Sequence, residues 1–367
     1  MDSKALQQEQ RNYKLRFAAL TAALLVVFFA SFALGRYPVS PSDFVKILLS
    51  RAADLLSYLT QGFPADFPLR FEFRVTRTWE AAAELVALNV RFPRIIAAAA
   101  IGAALAAAGA AYQGMFRNPL VSPDILGASF GAGFGAAFGI LMRFGYLGIS
   151  ASAFLFGTVA VLTAYAISRR SRRMDSILAM VLTGMMVSSL FSAATSFVKL
   201  VADTEEALPA ITYWLMGSLA SIRYKDLAFS GIPIVAGLVV LLLLRWRINL
   251  LTVGEDEAKS MGVDTLRLRV AVILCATMLT AASVAISGMI GWVGLVIPHF
   301  CRMLFGHDYS RLMPASMMFG AAFLIAVDDA ARLITTSEIP IGILTAFVGA
   351  PVFVYLILSG GNNRYDC

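Results

Sequence analysis

The chain has 367 residues, a formal net charge of +7, 59% apolar residues, 14% charged residues and a mean hydropathy of +0.76. A soluble domain carries about a quarter charged residues, so a water-soluble protein is excluded, and long runs of apolar side chain need lipid as solvent. The basic excess gathers at the ends of apolar runs without a stripe of interleaved aromatics, which excludes a nucleic-acid binder.

Lys4, Arg11, Lys14 and Arg16 precede the apolar run 17–35, which is too long for a signal-peptide core and reads as a retained first span. Residues 36–93 form an extended loop. Within it, 41–60 and 78–90 read as short amphipathic helices split by Gly62, Pro64 and Pro68, suited either to lie on the membrane surface or to receive an outside partner. Spans two to six fall in 94–244, at 94–115, 125–142, 146–167, 177–198 and 228–244. A polar loop, 245–269, separates them from spans seven to ten in 270–358, at 270–289, 291–305, 313–328 and 340–358. The expectation is a single all-α domain, 1–367, a polytopic membrane protein with about ten transmembrane helices.

An even count places both termini on one side. With that side cytoplasmic, the inner segments hold seventeen Lys and Arg against five in the short outer ones, so the positive-inside rule puts both termini in the cytoplasm. Cys275 and Cys301 lie in apolar runs and Cys367 ends the chain, which does not make a disulfide framework.

AAGAAYQGM (107–115) matches AASVAISGM (281–289) at five of nine positions, and LVSP (120–123) echoes LVIP (295–298). By the span count these copies run in opposite directions, as in transporters built on an inverted internal repeat. Gly127, Gly131, Gly135 and Gly139 recur every fourth residue and predict a flat ridge for close helix packing.

The sequence holds no H-E-x-x-H, phosphate loop, nucleophile elbow or C-x-x-C, and no metal site is predicted; His299 after Pro298 reads as a polar cap. Nothing marks an enzyme. Asp328, Asp329 and Arg332 sit at a span end, and the middle of each predicted span lacks an acid. Ion-coupled carriers place acids within their spans, so this pattern favours a partner as energy source, with an ion-coupled secondary transporter as the alternative.

Four segments carry a resemblance: RFPRIIAAAAIGAALAAAGAAYQGMFRNPLVSPDILGASFGAGFGA (91–136), INLLTVGEDEAKSMGV (248–263), GMIGWVGLVIPHFCRML (288–304) and EIPIGILTAFVGAPVFVYLIL (338–358). In order and spacing the chain resembles, over roughly 15–360, the permease subunits of iron-siderophore, haem and vitamin B12 ATP-binding-cassette importers of the bacterial cytoplasmic (inner) membrane. The resemblance implies two permease copies (a homodimer by default), two ATPase subunits that bind ATP and Mg, and a periplasmic or lipid-anchored binding protein. It implies no cofactor in this chain, and a haem, ferric siderophore or cobalamin as cargo.

It also implies roles for residues. Gly254, Glu255, Asp256, Glu257, Ala258, Lys259 and Gly262 match the coupling loop, two short helices that fit a groove on the ATPase. Arg91, Arg94 and Arg332 match arginines that receive carboxylates of the binding protein, with snorkelling anchors as the rival reading of the first two. Asn118 and Leu120, with Ser176, Ile177 and Leu178, match the inner gate, though Ile177 and Leu178 stand where the vitamin B12 permease has small hydroxyl residues. Loop 36–93 is longer than the family pattern. Tyr112, Gln113, Met185 and Met186 read as cavity residues or, more simply, as core.

Overall fold

The computed structural model describes residues 3–60, 77–170 and 176–360, and among these every regular element is helical. The helices are α1 (Ser3–Ala33), α2 (Pro41–Thr60), α3 (Ala81–Leu85), α4 (Phe92–Met115), α5 (Ala128–Leu141), α6 (Tyr146–Arg170), α7 (Ser176–Val201) and α8 (Ala207–Met216). They continue with α9 (Tyr224–Val253), α10 (Glu255–Ser260), α11 (Thr265–Ser287), α12 (Val293–Phe305), α13 (Tyr309–Leu333) and α14 (Ile341–Gly360).

Seven helical stretches are long and apolar enough to cross a bilayer: Gln10–Ala33, Ala81–Met115, Tyr146–Arg170, Ile177–Val201, Tyr224–Val253, Thr265–Ser287 and Tyr309–Leu333. Each of the ten predicted spans coincides with a helix. Three of them, however, fall on the shorter α5, α12 and the Ile341–Tyr355 part of α14. At 1.5 Å per residue, the 14 residues of α5 and the 13 of α12 reach only about 20 Å, short of a hydrocarbon core of about 30 Å. Helix α8, 10 residues long, was not anticipated.

The predicted helix 41–60 is α2. Pro41 suits its first turn, the Ser40 hydroxyl accepts from the Asp43 amide at 3.1 Å, and Phe44 and Ile47 are buried. Phe44 stacks on Phe32 of α1 with ring centroids 3.9 Å apart, which fixes α2 across the end of the bundle. The second predicted helix, 78–90, is corrected: α3 runs through a π-helical turn, Val86–Arg91, straight into α4, so it is an extension of a span and not a separate surface helix. Residues 61–76, with Gly62, Pro64 and Pro68, lie outside the described residues.

Helix α4 is the centre of the molecule, buried along nearly its whole length. Its Ala and Gly run lets neighbours approach to backbone contact, the main packing device where lipid supplies no hydrophobic drive between helices. A methyl group on Gly102 would stand 2.2 Å from the Gly320 carbonyl oxygen of α13, and one on Gly320 would stand 2.3 Å from that of Gly102. The predicted ridge on α5 serves the same purpose against α6: a methyl on Gly131 would meet the Phe156 oxygen at 2.4 Å, and one on Gly135 the Ser152 oxygen at 2.4 Å. Gly139 faces Ile149 on the same side. Gly127 differs. At φ +86° it joins a 3-10 turn, Pro123–Leu126, to α5 and faces Ser188 of α7, a conformation that side-chain-bearing residues rarely take.

The two matching nine-residue segments close α4 and α11, each followed by a break and a short helix. Their second echo sits differently: Pro123 opens the 3-10 turn, whereas Pro298 lies inside α12.

Candidate functional site: a cavity between helix ends

The helix ends inside the bundle share one place. α8 stops at Gly217 (φ +75°), α11 at Gly288 (φ +69°), and α14 starts at Ile341. The Ser218 amide donates to the Ser287 carbonyl at 2.7 Å and the Ile341 amide to the Gly217 carbonyl at 2.9 Å, so the three breaks are stitched by backbone. Helix α12 starts nearby and well inside the bundle, because a methyl on Gly294 would meet the Leu105 carbonyl of α4 at 2.7 Å. Irregular backbone at such depth is tolerated where it is buried in protein or lines a cavity.

An open cavity of about 690 Å³ lies among these ends. Asp124 comes from the 3-10 turn before α5 and Ser129 from the start of α5, Leu215 and Met216 from α8, Met289 to Trp292 from the break after α11, and Gly342, Ile343 and Phe347 from α14. The starts of α5, α12 and α14 therefore border it, and helix starts carry partial positive charge. Asp124, in the 3-10 turn that leads into α5, accepts a hydrogen bond from the Ser129 hydroxyl. The remaining lining is mostly large and apolar.

None of these lining residues was predicted as a site. Tyr112 and Gln113 are buried in the core, and Met185 and Met186 are exposed on α7; all four are absent from the cavity lining. One acid reaches the cavity without lying in any predicted span. Asp124 reads as a loop acid before a span, but the 3-10 turn Pro123–Leu126 that carries it borders the cavity inside the bundle.

The three arginines assigned to docking lie together at the α2 end, but they do not present themselves. Arg91, Arg94 and Arg332 are 3%, 4% and 7% exposed. Arg94 binds Asp328 through Nε (2.9 and 3.0 Å) and Nη2 (2.9 Å), and reaches Glu338 through Nη1 at 3.0 Å and Nη2 at 2.9 Å. Arg332 pairs with Asp329 and donates to the Ser31 hydroxyl at 2.9 Å, while Ser31 donates to Asp329 at 2.6 Å. Arg91 donates to the Phe32 and Tyr37 carbonyls. The expectation of arginines open to a partner is therefore corrected for this structure: buried carboxylates and carbonyls satisfy them, and they clamp α1, α4 and α13 together.

At the opposite end, the predicted coupling segment is one short helix, α10, and not two; a turn at Met261–Gly262 leads directly into α11. Gly254 caps α10, Ala258 is buried beneath it, and Asp256 is 96% exposed at its side chain. Glu255 holds Lys259 at 3.2 Å and Arg269 of α11 at 2.8 Å. Partial burial alone pushes the Glu255 carboxyl up, but the Lys259 hydrogen bond and the Arg269 and Lys259 charges outweigh it and hold the group below its ordinary value. A lowered folded value stabilises α10 above the ordinary glutamate range, and that support is lost as pH falls through the lowered value. Amide exchange across Glu255–Ser260, corrected for its intrinsic rate, should therefore accelerate in acid, and a Glu255→Gln variant should show fast exchange already at neutral pH.

Of the predicted gate residues, Leu120 and Leu178 are exposed, Ile177 is half-buried, and the Asn118 side chain accepts from the Leu120 amide at 2.9 Å. Ser176 opens α7. The turn is held by a residue sequence reasoning had left as packing. Gln113 donates to the Val121 carbonyl at 3.1 Å and the Leu295 carbonyl at 3.3 Å, and accepts from Arg302 at 2.6 Å. A lone glutamine among alanines was the available signal. Among the described residues no three His, Cys, Asp or Glu gather as a metal site.

The comparisons agree with this architecture. The FecCD transport family model matches residues 23–359. The molybdate import permease MolB of Haemophilus influenzae is 40% identical over 358 residues, 96% of this chain and 99% of its own. The hemin permease HmuU of Yersinia pestis is 35% identical over 285 residues, 76% of this chain and 84% of its own, and the cobalamin permease BtuC of Halobacterium salinarum 40% over 211, 58% and 56%. A solved structure described as an inward-facing metal-chelate type ABC transporter superposes with a TM-score of 0.79 at 38% identity, covering 94% of this chain and 99% of that one. A bundle whose broken helices enclose a cavity, with family motifs along nearly its full length, places the chain in the FecCD transport family as the permease subunit of an ATP-binding-cassette importer.

Proposed function

We propose that two copies of this chain form the membrane channel of an importer that carries a small oxyanion of the molybdate kind. In this reading both termini are cytoplasmic, two ATPase subunits sit against α10, and a binding protein delivers cargo at the α2 end of the bacterial inner membrane. ATP hydrolysis in those partners drives transport, since binding energy in the ATPases shifts a bundle with two states.

The observation that carries the reading is the cavity at the meeting of the helix breaks, which the starts of α12 and α14 border with their positive ends. The match to a molybdate permease over 96% of this chain and 99% of that one supports the cargo class. A second reading keeps the metal chelate, haem or ferric siderophore, expected from sequence. Its support is the size and apolar lining of the cavity, with Phe130, Trp292 and Phe347 offering flat surfaces to a bulky ligand.

Uptake into proteoliposomes holding the permease, its ATPases and the binding protein separates the two. Labelled molybdate should accumulate only with ATP inside, and excess ferric siderophore should not compete. Accumulation of chelate but not molybdate would overturn the cargo class, and molybdate uptake without ATP but with an ion gradient would overturn the partner-driven mechanism.

A further inference from the structure

We infer that Glu338 is an internal stand-in for the carboxylate of the delivering protein: it holds Arg94 while the permease is unengaged, and an incoming carboxylate displaces it on docking. The inference rests on the reading that a binding protein docks at this end.

Among the three buried arginines, Arg94 is the one paired with a partly exposed carboxylate. Arg91 is spent on main-chain carbonyls, and Arg332 on Asp329 and Ser31 in the interior. Arg94 has two carboxylates of unequal standing. Asp328 is 1% exposed on α13 and binds the inner edge of the guanidinium; Glu338 is 29% exposed at its side chain and lies on the non-helical segment between α13 and α14. Glu338 accepts one hydrogen bond, from Nη1 to Oε1 at 3.0 Å, while its Oε2 makes an ion-pair contact with Nη2 at 2.9 Å and has no hydrogen bond of its own, so it is held less fully than Asp328. An outside carboxylate therefore finds one position on Arg94 that can be vacated and one that cannot.

Displacement has somewhere to go. The segment that carries Glu338 runs into Pro340 and Ile341, whose amide is bonded to Gly217, and Gly342 stands on the Met216 and Met289 carbonyls at the cavity. Releasing Glu338 frees one of the anchors of this segment, which is also held by Arg36 on the Thr335 carbonyl at 2.7 Å, by the Ile339 amide on the Ala331 carbonyl at 3.2 Å and by the Ile341 bond itself. Occupation of Arg94 from outside is thus coupled to the start of α14, which lines the cavity.

The test uses the assembled importer in lipid nanodiscs with its binding protein. Glu338→Gln keeps the shape, removes the charge and alters a partly exposed residue, so it should fold. It should tighten binding-protein affinity by on the order of tenfold and raise several-fold the rate at which a thiol reagent modifies Ile343→Cys in a Cys367→Ser background. Glu338→Asp should return both towards the parent. If Glu338→Gln changes neither quantity while Arg94→Lys weakens docking, the stand-in is overturned and the docking reading survives. If neither variant alters affinity, docking does not use Arg94 and both fall.

Discussion

Replacing Arg94 with alanine is expected to destabilise the folded permease by about 3–5 kcal/mol, the usual range when one partner of a buried ion pair is removed. Nearly all of that loss belongs to Asp328, which is 1% exposed and would be left charged with only Arg332, 3.4 Å away, beside it. Glu338 can turn to solvent and contributes less. The double variant Arg94→Ala, Asp328→Asn should therefore recover much of the loss, because a neutral amide is far cheaper to bury than an orphaned carboxylate. Thermal unfolding in detergent reads both; an unchanged transition in the single variant would show that the cluster is not the clamp described.

The second large effect belongs to a single methyl group. At Gly109 an added Cβ would stand 1.8 Å from the carbonyl oxygen of Gly294, with the Gly294 backbone carbon at 2.5 Å. Backbone meets backbone there, so no rotamer change can relieve the clash and α4 must separate from α12. Gly109→Ala should cost at least the 1–3 kcal/mol typical of overpacking. It should also abolish transport, because the start of α12 borders the cavity. Gly145→Ala, at a position with nothing within 4 Å of the new methyl, is the matched control and should be silent. Parent-like melting and uptake for Gly109→Ala would contradict the close approach of the two helices.

Much of the fold was legible in the sequence because lipid imposes a simple code. Long apolar runs became helices, and the helix expected over 41–60 is α2 to the residue. The glycine spacing on α5 foretold a face that meets α6, since the absence of side chains admits no other use. The depth at which elements sit was not legible. Hydropathy reads α5 and α12 as spans and passes over α8, because a short apolar helix inside the bundle has the same composition as one that crosses.

The candidate site suffered from the same limit. Asp124 reads as a loop acid until the turn before α5 is found to lie inside the bundle, and the cavity residues come from four separate stretches of chain that no local pattern joins. The arginines illustrate the converse. Their positions were recognisable from R-F-P-R and the span end, yet Arg94 lies 234 residues from Asp328 and 244 from Glu338, so the sequence named the cations without their internal partners.

The stitching at Gly217 limits how the molecule can change shape. Three elements with independent hinges could tilt in many combinations, most of them leaking. Here the main chain after α8 is tied both to the end of α11 and to the first residue of α14, so the three ends share one joint and a displacement of any of them is felt by the others. The cavity wall then has few degrees of freedom, because the helix ends that border it are tied to one another through the main chain.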